Sequence, residues 1–263
     1  MDTPATIDEP IIECAQRDGI AFITLNRGRQ YNALSLAMLD AMHVELDRLR
    51  DDSDARVVVI AAHGKAFCAG HDLKEMKAAN DAAFVRKLFD RCSAMMQKIS
   101  GLRVPVIAEV QGMATAAGCQ LVAQCDLAVA SDQARFAVSG VSLGLFCFTP
   151  AVPLSRAISR KRAMEMLMTG EFIDAATALE WGLVNRVVRT ESLREQTMTL
   201  AHALMANPKE SLAAGKAQFY QQLELGITPA YQIASAEISR NFMMAEAQKG
   251  ITAFLDKRKP VWE

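Results

Sequence analysis

The chain has 263 residues, of which 51% are hydrophobic and 22% charged, an ordinary composition for one large globular domain or a core with an appendage. A net charge of -1 gives no overall excess of basic residues, so neither nucleic acid nor a membrane surface is expected as the main partner. No apolar stretch approaches the roughly 20 residues that cross a bilayer, so membrane insertion is not expected.

The N-terminus and the cysteines bear on location. Residues 1–10 contain acidic residues and have neither a basic start nor an apolar segment, so a secretory or mitochondrial targeting signal is not expected. The six cysteines lack CxxC spacing, which favours reduced thiols over disulfides or a metal site. The sequence therefore predicts a cytoplasmic protein without a metal centre.

The beginning of the chain predicts a hairpin, a helix and a buried strand. Asp18-Gly19 separates two apolar runs, and this dipeptide is typical of a tight β-turn. Ser35 is a suitable N-cap for a helix. The apolar residues that recur at helical spacing in it are Met38, Leu39, Met42, Leu46 and Leu49. Residues 57–61 form a β-branched run without alternation, which is typical of a strand covered on both faces.

Strands and helices then alternate up to about Val188, a pattern that favours parallel crossover connections. Asp72 and Glu75 have the spacing of a capping box at a helix start. Beyond Glu191 the pattern is almost entirely helical. We therefore expect an α/β core followed by a helical tail.

Two loops of small residues each lead from an expected strand into an expected helix, over residues 65–75 and 111–120. Backbone N–H groups at a helix start have no internal partners and, with the positive end of the helix dipole, form an anion site. Two such loops that converge would make an oxyanion hole for a thioester carbonyl that becomes an enolate. For either loop alone, close packing of small residues is the simpler interpretation.

The order and spacing of a longer series of motifs favour the functional interpretation. The series is Asn26-Arg27, Asn32-Ala33-Leu34, Phe67–Leu73, Pro105–Ala108, Gly112, Gly118-Cys119, Cys125-Asp126, Phe136, Gly144, Thr169-Gly170, Trp181–Val184 and Lys257–Lys259. Together these motifs resemble the enoyl-CoA hydratase/isomerase (crotonase) superfamily over nearly the whole chain.

The resemblance implies an α/β fold, with a ClpP-like crotonase spiral of ββα units over residues 1–200 that contains the acyl-CoA site. It also implies a C-terminal helical trimerisation region over residues 201–263. A homotrimer, or a hexamer built as a dimer of trimers, is expected. The expected partner is an acyl-CoA thioester, so coenzyme A enters as part of the substrate and no permanently bound cofactor is expected.

The resemblance also assigns roles to single positions. The backbone N–H groups of His71 and Ala117 are the expected oxyanion donors. Phe254 and Lys257 are expected to reach coenzyme A from the C-terminal region of the same or a neighbouring subunit. The other positions expected along the coenzyme A and acyl path are Gln30, Tyr31, Lys65, Ala69, Asp72, Leu73 and Phe148.

This sequence departs from the family pattern at the two glutamates with which hydratases hold a water and move its protons. Gln120 and Gly140 occupy these positions. An amide orients water but does not exchange protons near neutral pH, and glycine has no side chain. A positioned acid or base contributes about 10²–10⁴-fold to a rate, so a standard two-glutamate hydratase is disfavoured. The sequence resembles a subgroup of the superfamily whose members have hydratase names by fold and lack this pair.

Other side chains are candidates for chemistry. Histidine as a residue type titrates near neutral pH, but packing or a contact with coenzyme A is the favoured interpretation of the His71 imidazole. Cys147 lacks an evident base, so it is expected to line the acyl pocket. For Glu109, a charge in an apolar strand, an arginine, a backbone donor or solvent is expected as the partner. Ser139 and Ser142 have no recognisable His-Asp partners, so a peptidase is not favoured.

Two functions therefore stay open. The first is an enzyme that stabilises a thioester enolate, an enoyl-CoA hydratase/isomerase-type lyase with atypical or weak hydratase chemistry. The second is a non-catalytic acyl-CoA binder or a partner protein in fatty-acid metabolism. Turnover of acyl-CoA esters distinguishes the two.

Overall fold

The computed structural model describes residues 9–262; the first eight residues, which carry most of the prediction about targeting, and Glu263 lie outside the described part. The strands are β1 (Ile12–Arg17), β2 (Ile20–Leu25), β3 (Val57–Ala62), β4 (Ala66–Cys68), β5 (Val106–Val110), β6 (Met113–Thr115), β7 (Leu127–Ser131), β8 (Arg135–Ala137), β9 (Ile173–Asp174) and β10 (Arg186–Val188). The α-helices are α1 (Leu36–Arg50), α2 (Leu73–Ala79), α3 (Ala82–Gly101), α4 (Ala117–Gln124), α5 (Phe148–Ala157), α6 (Arg160–Thr169), α7 (Ala175–Trp181), α8 (Leu193–Met205), α9 (Lys209–Leu223), α10 (Ile227–Phe242) and α11 (Ala245–Leu255).

The strands form two sheets within the described residues. The larger sheet has the order β1-β2-β3-β5-β7-β10, antiparallel between β1 and β2 and parallel from there on. The smaller sheet has the order β4-β6-β8-β9, with an antiparallel last pair. Three times in succession, a strand of the larger sheet is followed by one of the smaller sheet and then by helix: β3-β4-α2, β5-β6-α4 and β7-β8-α5. This repetition confirms the predicted α/β spiral of ββα units.

The local predictions at the beginning of the chain are confirmed. Asp18 and Gly19 have φ values of 50° and 78°, as a tight hairpin turn requires of its two central residues. The hydroxyl of Ser35 accepts the N–H of Met38 at 3.2 Å and caps α1. The predicted apolar face of α1 is buried, and β3 is buried between β2 and β5.

The predicted capping box at α2 is half right. Asp72 caps the helix, because its carboxylate accepts the N–H groups of Lys74 and Glu75 at 2.9 and 3.2 Å. The Glu75 carboxylate instead accepts the N–H of Leu36, at 3.1 Å from the nearer oxygen. Because Leu36 begins α1, Glu75 joins the first turns of two helices that are distant in sequence.

Helices α8–α11 follow the spiral, as the helical pattern predicted. Helix α9 docks on the core through Lys216, whose Nζ lies 2.7 Å from the Asp126 carboxylate, and Tyr220 donates its hydroxyl hydrogen to the same carboxylate at 2.7 Å. Burial lowers the pKa of Lys216, and the Asp126 charge opposes that shift. The boundary expected at residue 200 falls inside α8, and the division into two regions stays a prediction. Among residues 9–262, no helix combines the length and apolar character that crossing a membrane requires.

Candidate functional site

One cavity brings together six of the thirteen site positions that the resemblance assigned. Its volume is about 350 Å³, and it lies between α2, α3, the start of α4 and residues 139–150. The wall is formed by Ala69, His71, Leu73, Met76, Val85, Phe89, Ala116, Ala117, Ser139, Gly140, Leu143, Leu145, Phe146, Cys147, Phe148, Thr149 and Pro150. Two larger cavities, of about 740 and 660 Å³, border α9, and their walls contain none of the candidate site residues. Of the described cavities, the one at α2–α4 therefore fits the predicted chemistry best.

The first loop follows β4, and its hydrogen bonds direct the N–H of His71 away from the segment that contains Leu34. The carbonyl of Gly70 accepts the N–H of Leu34 at 2.8 Å. In a trans peptide the carbonyl of one residue and the N–H of the next point in opposite directions. The N–H of His71 therefore points away from Leu34. On the other side of the loop, Ala69 donates its N–H to the carbonyl of Tyr31 at 3.0 Å.

The second loop directs the N–H of Ala117 out of the start of α4. The Ala116 carbonyl accepts the N–H of Gln120 at 3.0 Å as part of the helix, so the N–H of the Ala116–Ala117 peptide points back out of it. Ala116 has φ 50° and ψ -118°, a conformation that costs an L-residue about 1–3 kcal/mol. A bond from the Ala116 N–H to the carbonyl of Ala137, at 2.9 Å, contributes to holding it there.

The two loops touch at Gly70. A Cβ atom on Gly70 would lie 2.9 Å from the Cβ of Ala116 and 3.2 Å from the nitrogen of Ala117. Gly70 also has φ +93°, which favours glycine on backbone grounds alone. At Gly118, a Cβ would lie 2.0 Å from the carbonyl oxygen of Cys68. Glycine at both positions therefore lets the loops that carry the two N–H groups meet at the wall of one cavity.

Asn32 holds the segment beside these loops, a role that the sequence did not assign. Its side chain is fully buried; the amide nitrogen donates to the carbonyls of His63 and Ala66 at 2.8 and 2.9 Å, and the oxygen accepts the N–H of Arg27 at 2.8 Å. The Asn-Ala-Leu motif was a signal for this residue, but its partners are 5, 31 and 34 residues away. Because these contacts are not local in sequence, spacing along the chain gave no access to them.

The other candidate residues divide into three groups. Ala69, Leu73 and Phe148 lie in the cavity wall, and Leu73 and Phe148 are also exposed to solvent. Gln30, Tyr31 and Lys65 are exposed, and Asp72 is half-buried as the cap of α2. Phe254 in α11 and Lys257 just after it are exposed and lie outside the cavity wall.

The positions that the resemblance assigned to glutamates hold no proton carrier. Gln120 is buried, its side-chain oxygen has no hydrogen-bond partner within residues 9–262, and it is not part of the cavity wall. At Gly140 a Cβ would lie 2.8 Å from the Sγ of Cys147 and 3.1 Å from the carbonyl oxygen of Leu145. The Gly140 N–H donates to that Sγ at 3.3 Å. The thiol of Cys147 thus occupies the space into which a side chain at position 140 would extend.

Electrostatics keep the titratable side chains near the cavity neutral. Burial raises the pKa of Cys147, and the hydrogen bond from the Gly140 N–H opposes this rise. Burial lowers the pKa of His71, and its bond to the Leu34 carbonyl opposes this. At neutral pH the arrangement therefore offers two backbone donors, a neutral imidazole and a thiol beside an apolar wall.

Glu109 lies in β5 outside the cavity wall, and its partner is an arginine. Its carboxylate is 3.1 Å from the guanidinium of Arg194, which also covers the ring of Phe22 at 4.9 Å from the ring centre. Burial raises the pKa of Glu109, while Arg194 and the hydroxyl of Thr197 lower it. These contacts account for a charge in an apolar strand.

The family model and the relatives that match this chain carry enoyl-CoA hydratase descriptions. Residues 15–263 match the family model for enoyl-CoA hydratase/isomerase. The chain is 47% identical over 247 residues to the human enoyl-CoA hydratase domain-containing protein 3, covering 94% of this chain and 82% of the relative. The Xenopus laevis protein of that name is 46% identical over 253 residues, with 96% and 86% covered.

Solved structures agree in fold. A structure of the human domain-containing protein 3 has a TM-score of 0.93 at 45% identity and covers 96% of this chain and all of its own. A structure described as the enoyl-CoA hydratase of Mycobacterium smegmatis has a TM-score of 0.95 at 50% identity, with 97% and 99% covered. These matches confirm the superfamily and the subgroup that the motifs indicated. The vertebrate relatives of that subgroup are named mitochondrial, so the cytoplasmic location predicted from the sequence is wrong.

Proposed function

Because the chain belongs to the enoyl-CoA hydratase/isomerase (crotonase) family, we propose that it binds acyl-CoA thioesters and holds the acyl group in the 350 Å³ cavity. The backbone N–H groups of His71 and Ala117 donate to the thioester oxygen and stabilise the enolate that forms when the neighbouring carbon loses a proton. The observation that supports this proposal is the close approach of the two loops at Gly70, with His71 and Ala117 both in the wall of one cavity.

The cavity wall favours a hydrocarbon acyl group. Met76, Val85, Phe89, Leu145 and Phe146 are apolar, and none of the described residues in the wall carries a carboxylate, a lysine or an arginine. A second carboxylate on the acyl group would lose its water without gaining a partner, which costs free energy. Burying a hydrocarbon in the same space contributes about 25 cal/mol per Å² of apolar surface.

Coenzyme A would extend from the cavity mouth along residues 30–31 and 65–69. The bond from Ala69 to Tyr31 keeps these segments together, and Gln30 and Lys65 are exposed beside them. A lysine ammonium is a suitable point charge for a coenzyme A phosphate. Phe254 and Lys257 are also exposed, as the proposal that they contact coenzyme A requires.

A non-catalytic acyl-CoA binder is the second candidate function. It is favoured by the amide at Gln120 and by Cys147, which fills the space beside Gly140. The two candidates differ in turnover: an enzyme converts an enoyl-, hydroxyacyl- or malonyl-CoA ester, whereas a binder shows affinity alone. Calorimetric titration with octanoyl-CoA, followed by mass spectrometry of a panel of acyl-CoA esters, distinguishes them.

A pair of glycine variants tests whether this site is the right one. Gly70→Ala places a methyl group between the two loops, whereas Gly182→Ala imposes a similar strain, at φ +87°, where the nearest atom is 3.9 Å away. We expect Gly70→Ala to lose octanoyl-CoA binding and Gly182→Ala to keep it. Equal binding by the two folded variants would show that the ligand does not use the Gly70 loop.

The homotrimer or hexamer and the location are further parts of the proposal. Helices α10 and α11 expose large apolar side chains, a composition that favours burial against other subunits. These side chains are Ile227, Tyr231, Ile238, Phe242 and Phe254. Light scattering on the purified protein would give the subunit count. The names of the vertebrate relatives favour a mitochondrial location, which cell fractionation tests.

A further inference from the structure

We propose that the imidazole of His71 is a positioning group, whose Nδ1–H holds the carbonyl of Leu34 and thereby keeps the backbone N–H of His71 aimed at the thioester oxygen. This inference rests on the proposed function, and it concerns the side chain of a residue whose backbone is the oxyanion donor.

The hydrogen bond fixes the tautomer of the ring. Nδ1 of His71 lies 3.2 Å from the carbonyl oxygen of Leu34. A carbonyl oxygen only accepts hydrogen bonds, so Nδ1 carries the proton. Because burial disfavours the charged form, the ring is neutral at pH 7 and Nε2 has a free lone pair.

Both backbone polar groups of Leu34, its N–H and its carbonyl, are bonded to the loop that contains His71. The Leu34 N–H donates to the carbonyl of Gly70 at 2.8 Å, and the Leu34 carbonyl accepts from the His71 ring. Leu34 and His71 also form an isolated parallel β-bridge. The bond to Gly70 sets the plane of the peptide that carries the His71 N–H. The β-bridge is backbone only, so loss of the ring bond removes the side-chain bond to the Leu34 carbonyl and allows that plane to rotate further.

The opposite edge of the ring is unsuited to carry protons to a ligand. Nε2 is out of contact with solvent and has no hydrogen-bond partner among the described residues. The ring meets the ring of Phe89 edge to face, with 4.7 Å between centres. A leucine or phenylalanine would fill this space without leaving a buried nitrogen unpaired, which costs free energy. The contribution that compensates for this cost is the Nδ1–H bond.

Two variants separate the donor from the ring. His71→Phe keeps a flat ring against Phe89 but has no donor. His71→Asn loses the ring but keeps a donor, because the Nδ2 of asparagine is the same number of bonds from Cα as the Nδ1 of histidine. Both variants retain the backbone N–H. A purely structural role for the ring predicts the reverse order of function, with phenylalanine better than asparagine.

The readout is specific to the carbonyl of the ligand. Binding of octanoyl-CoA is compared with binding of S-octyl-CoA, a thioether that lacks the carbonyl, and the infrared stretch of a ¹³C-labelled octanoyl carbonyl is recorded in the complex. We expect wild type and His71→Asn to prefer the thioester about tenfold, which is about 1.4 kcal/mol, and to shift the stretch to lower frequency. We expect His71→Phe to lose the preference and the shift while still binding S-octyl-CoA.

The outcomes separate this inference from the proposed function. If wild type binds octanoyl-CoA without a carbonyl shift, or does not bind it, the proposed function fails. If wild type shows the shift and His71→Phe shows it equally, the proposed function stands and the positioning role is wrong. Should His71→Phe not fold, ¹⁵N NMR of the wild-type ring decides, because an Nε2–H tautomer would exclude the proposed bond.

Discussion

The contact between Gly140 and Cys147 leads to a prediction about restoring hydratase chemistry. Gly140→Glu alone is not expected to restore hydratase activity, although the family resemblance assigns a glutamate to that position. The new Cβ would lie 2.8 Å from the Cys147 Sγ and 3.1 Å from a backbone oxygen, so the loop must shift. Removing the thiol in the same protein, through Cys147→Ala, relieves the shorter of these contacts.

The magnitudes follow from packing and from acid–base catalysis. Overpacking of this kind costs about 1–3 kcal/mol, so the urea midpoint of Gly140→Glu should fall. A positioned carboxylate contributes about 10²–10⁴-fold to a rate. The triple variant Gln120→Glu, Gly140→Glu, Cys147→Ala should therefore hydrate an enoyl-CoA at least about 10²-fold faster than Gln120→Glu alone.

The assay follows the loss of enoyl absorbance with trans-2-octenoyl-CoA, alongside urea unfolding of each variant. Gly215→Glu is the matched control for stability, because a Cβ at Gly215 would meet no described atom within 4 Å beyond the backbone of its own helix, and the residue lies on the exposed side of α9. That control should be neutral or slightly stabilising, since glycine is unfavourable in a helix by up to about 1 kcal/mol. If Gly140→Glu is as stable as Gly215→Glu, the packing argument is refuted. A triple variant no faster than Gln120→Glu would refute the assignment of position 140.

Three further predictions concern stability. Asn32→Ala removes three hydrogen bonds of a buried side chain and should lower the free energy of unfolding by about 2–4 kcal/mol in urea. Lys216→Met removes the charged partner of the half-buried Asp126 carboxylate, which keeps the Tyr220 hydroxyl, together with two bonds to backbone carbonyls, and should cost about 3–5 kcal/mol, whereas Arg156→Ala, at an exposed ion pair, should cost less than about 1 kcal/mol. Stability should fall as the pH drops below about 6.5, because burial lowers the pKa of His43 and His71 in the folded state and the unfolded chain then binds protons that the folded chain does not.

Each of these has a contradicting result. A loss below about 1 kcal/mol for Asn32→Ala would mean that the loops hold without it. Equal losses for Lys216→Met and Arg156→Ala would remove the argument that α9 is tied down by burial of the pair. A His43→Gln, His71→Asn double variant keeps amide groups in both places and should lose less stability than wild type between pH 7.5 and 5.5. An identical pH dependence would assign the effect to other groups.

The sequence predicted those parts of the fold that depend on local patterns. The Asp18-Gly19 turn, the Ser35 cap and the buried run of β3 each depend on residues that are close in the chain, and the structure confirms all three. Family motifs extended this to the spiral, because their order along the chain is itself a long-range pattern. Glu75 shows the limit: its spacing fits a capping box with Asp72, but the N–H that it accepts belongs to another helix.

The candidate site was predictable as a set of backbone positions and less so as a set of contacts. His71 and Ala117 were chosen by motif, and both lie in the wall of the cavity. That the Cys147 thiol fills the space beside Gly140 depends on the path of residues 140–147, which no periodicity describes. The role of Asn32 was missed for the same reason, since two of its partners lie more than 30 residues away.

The two halves of the proposed chemistry depend on different kinds of structure, and this explains how one can be present without the other. In the proposed oxyanion hole, the N–H groups of His71 and Ala117 are oriented by peptide planes that Gly70 and Ala116 set through backbone bonds, so we expect substitutions at positions 120 and 140 to leave them in place. An oxyanion donor contributes about 3–4 kcal/mol to a transition state without exchanging a proton. Such a site still stabilises the transition state of any reaction in which negative charge grows on the thioester oxygen while substrate or water carries the proton. Turnover of an ester of that kind, with binding that depends on the carbonyl, is therefore the result that the enzyme interpretation requires.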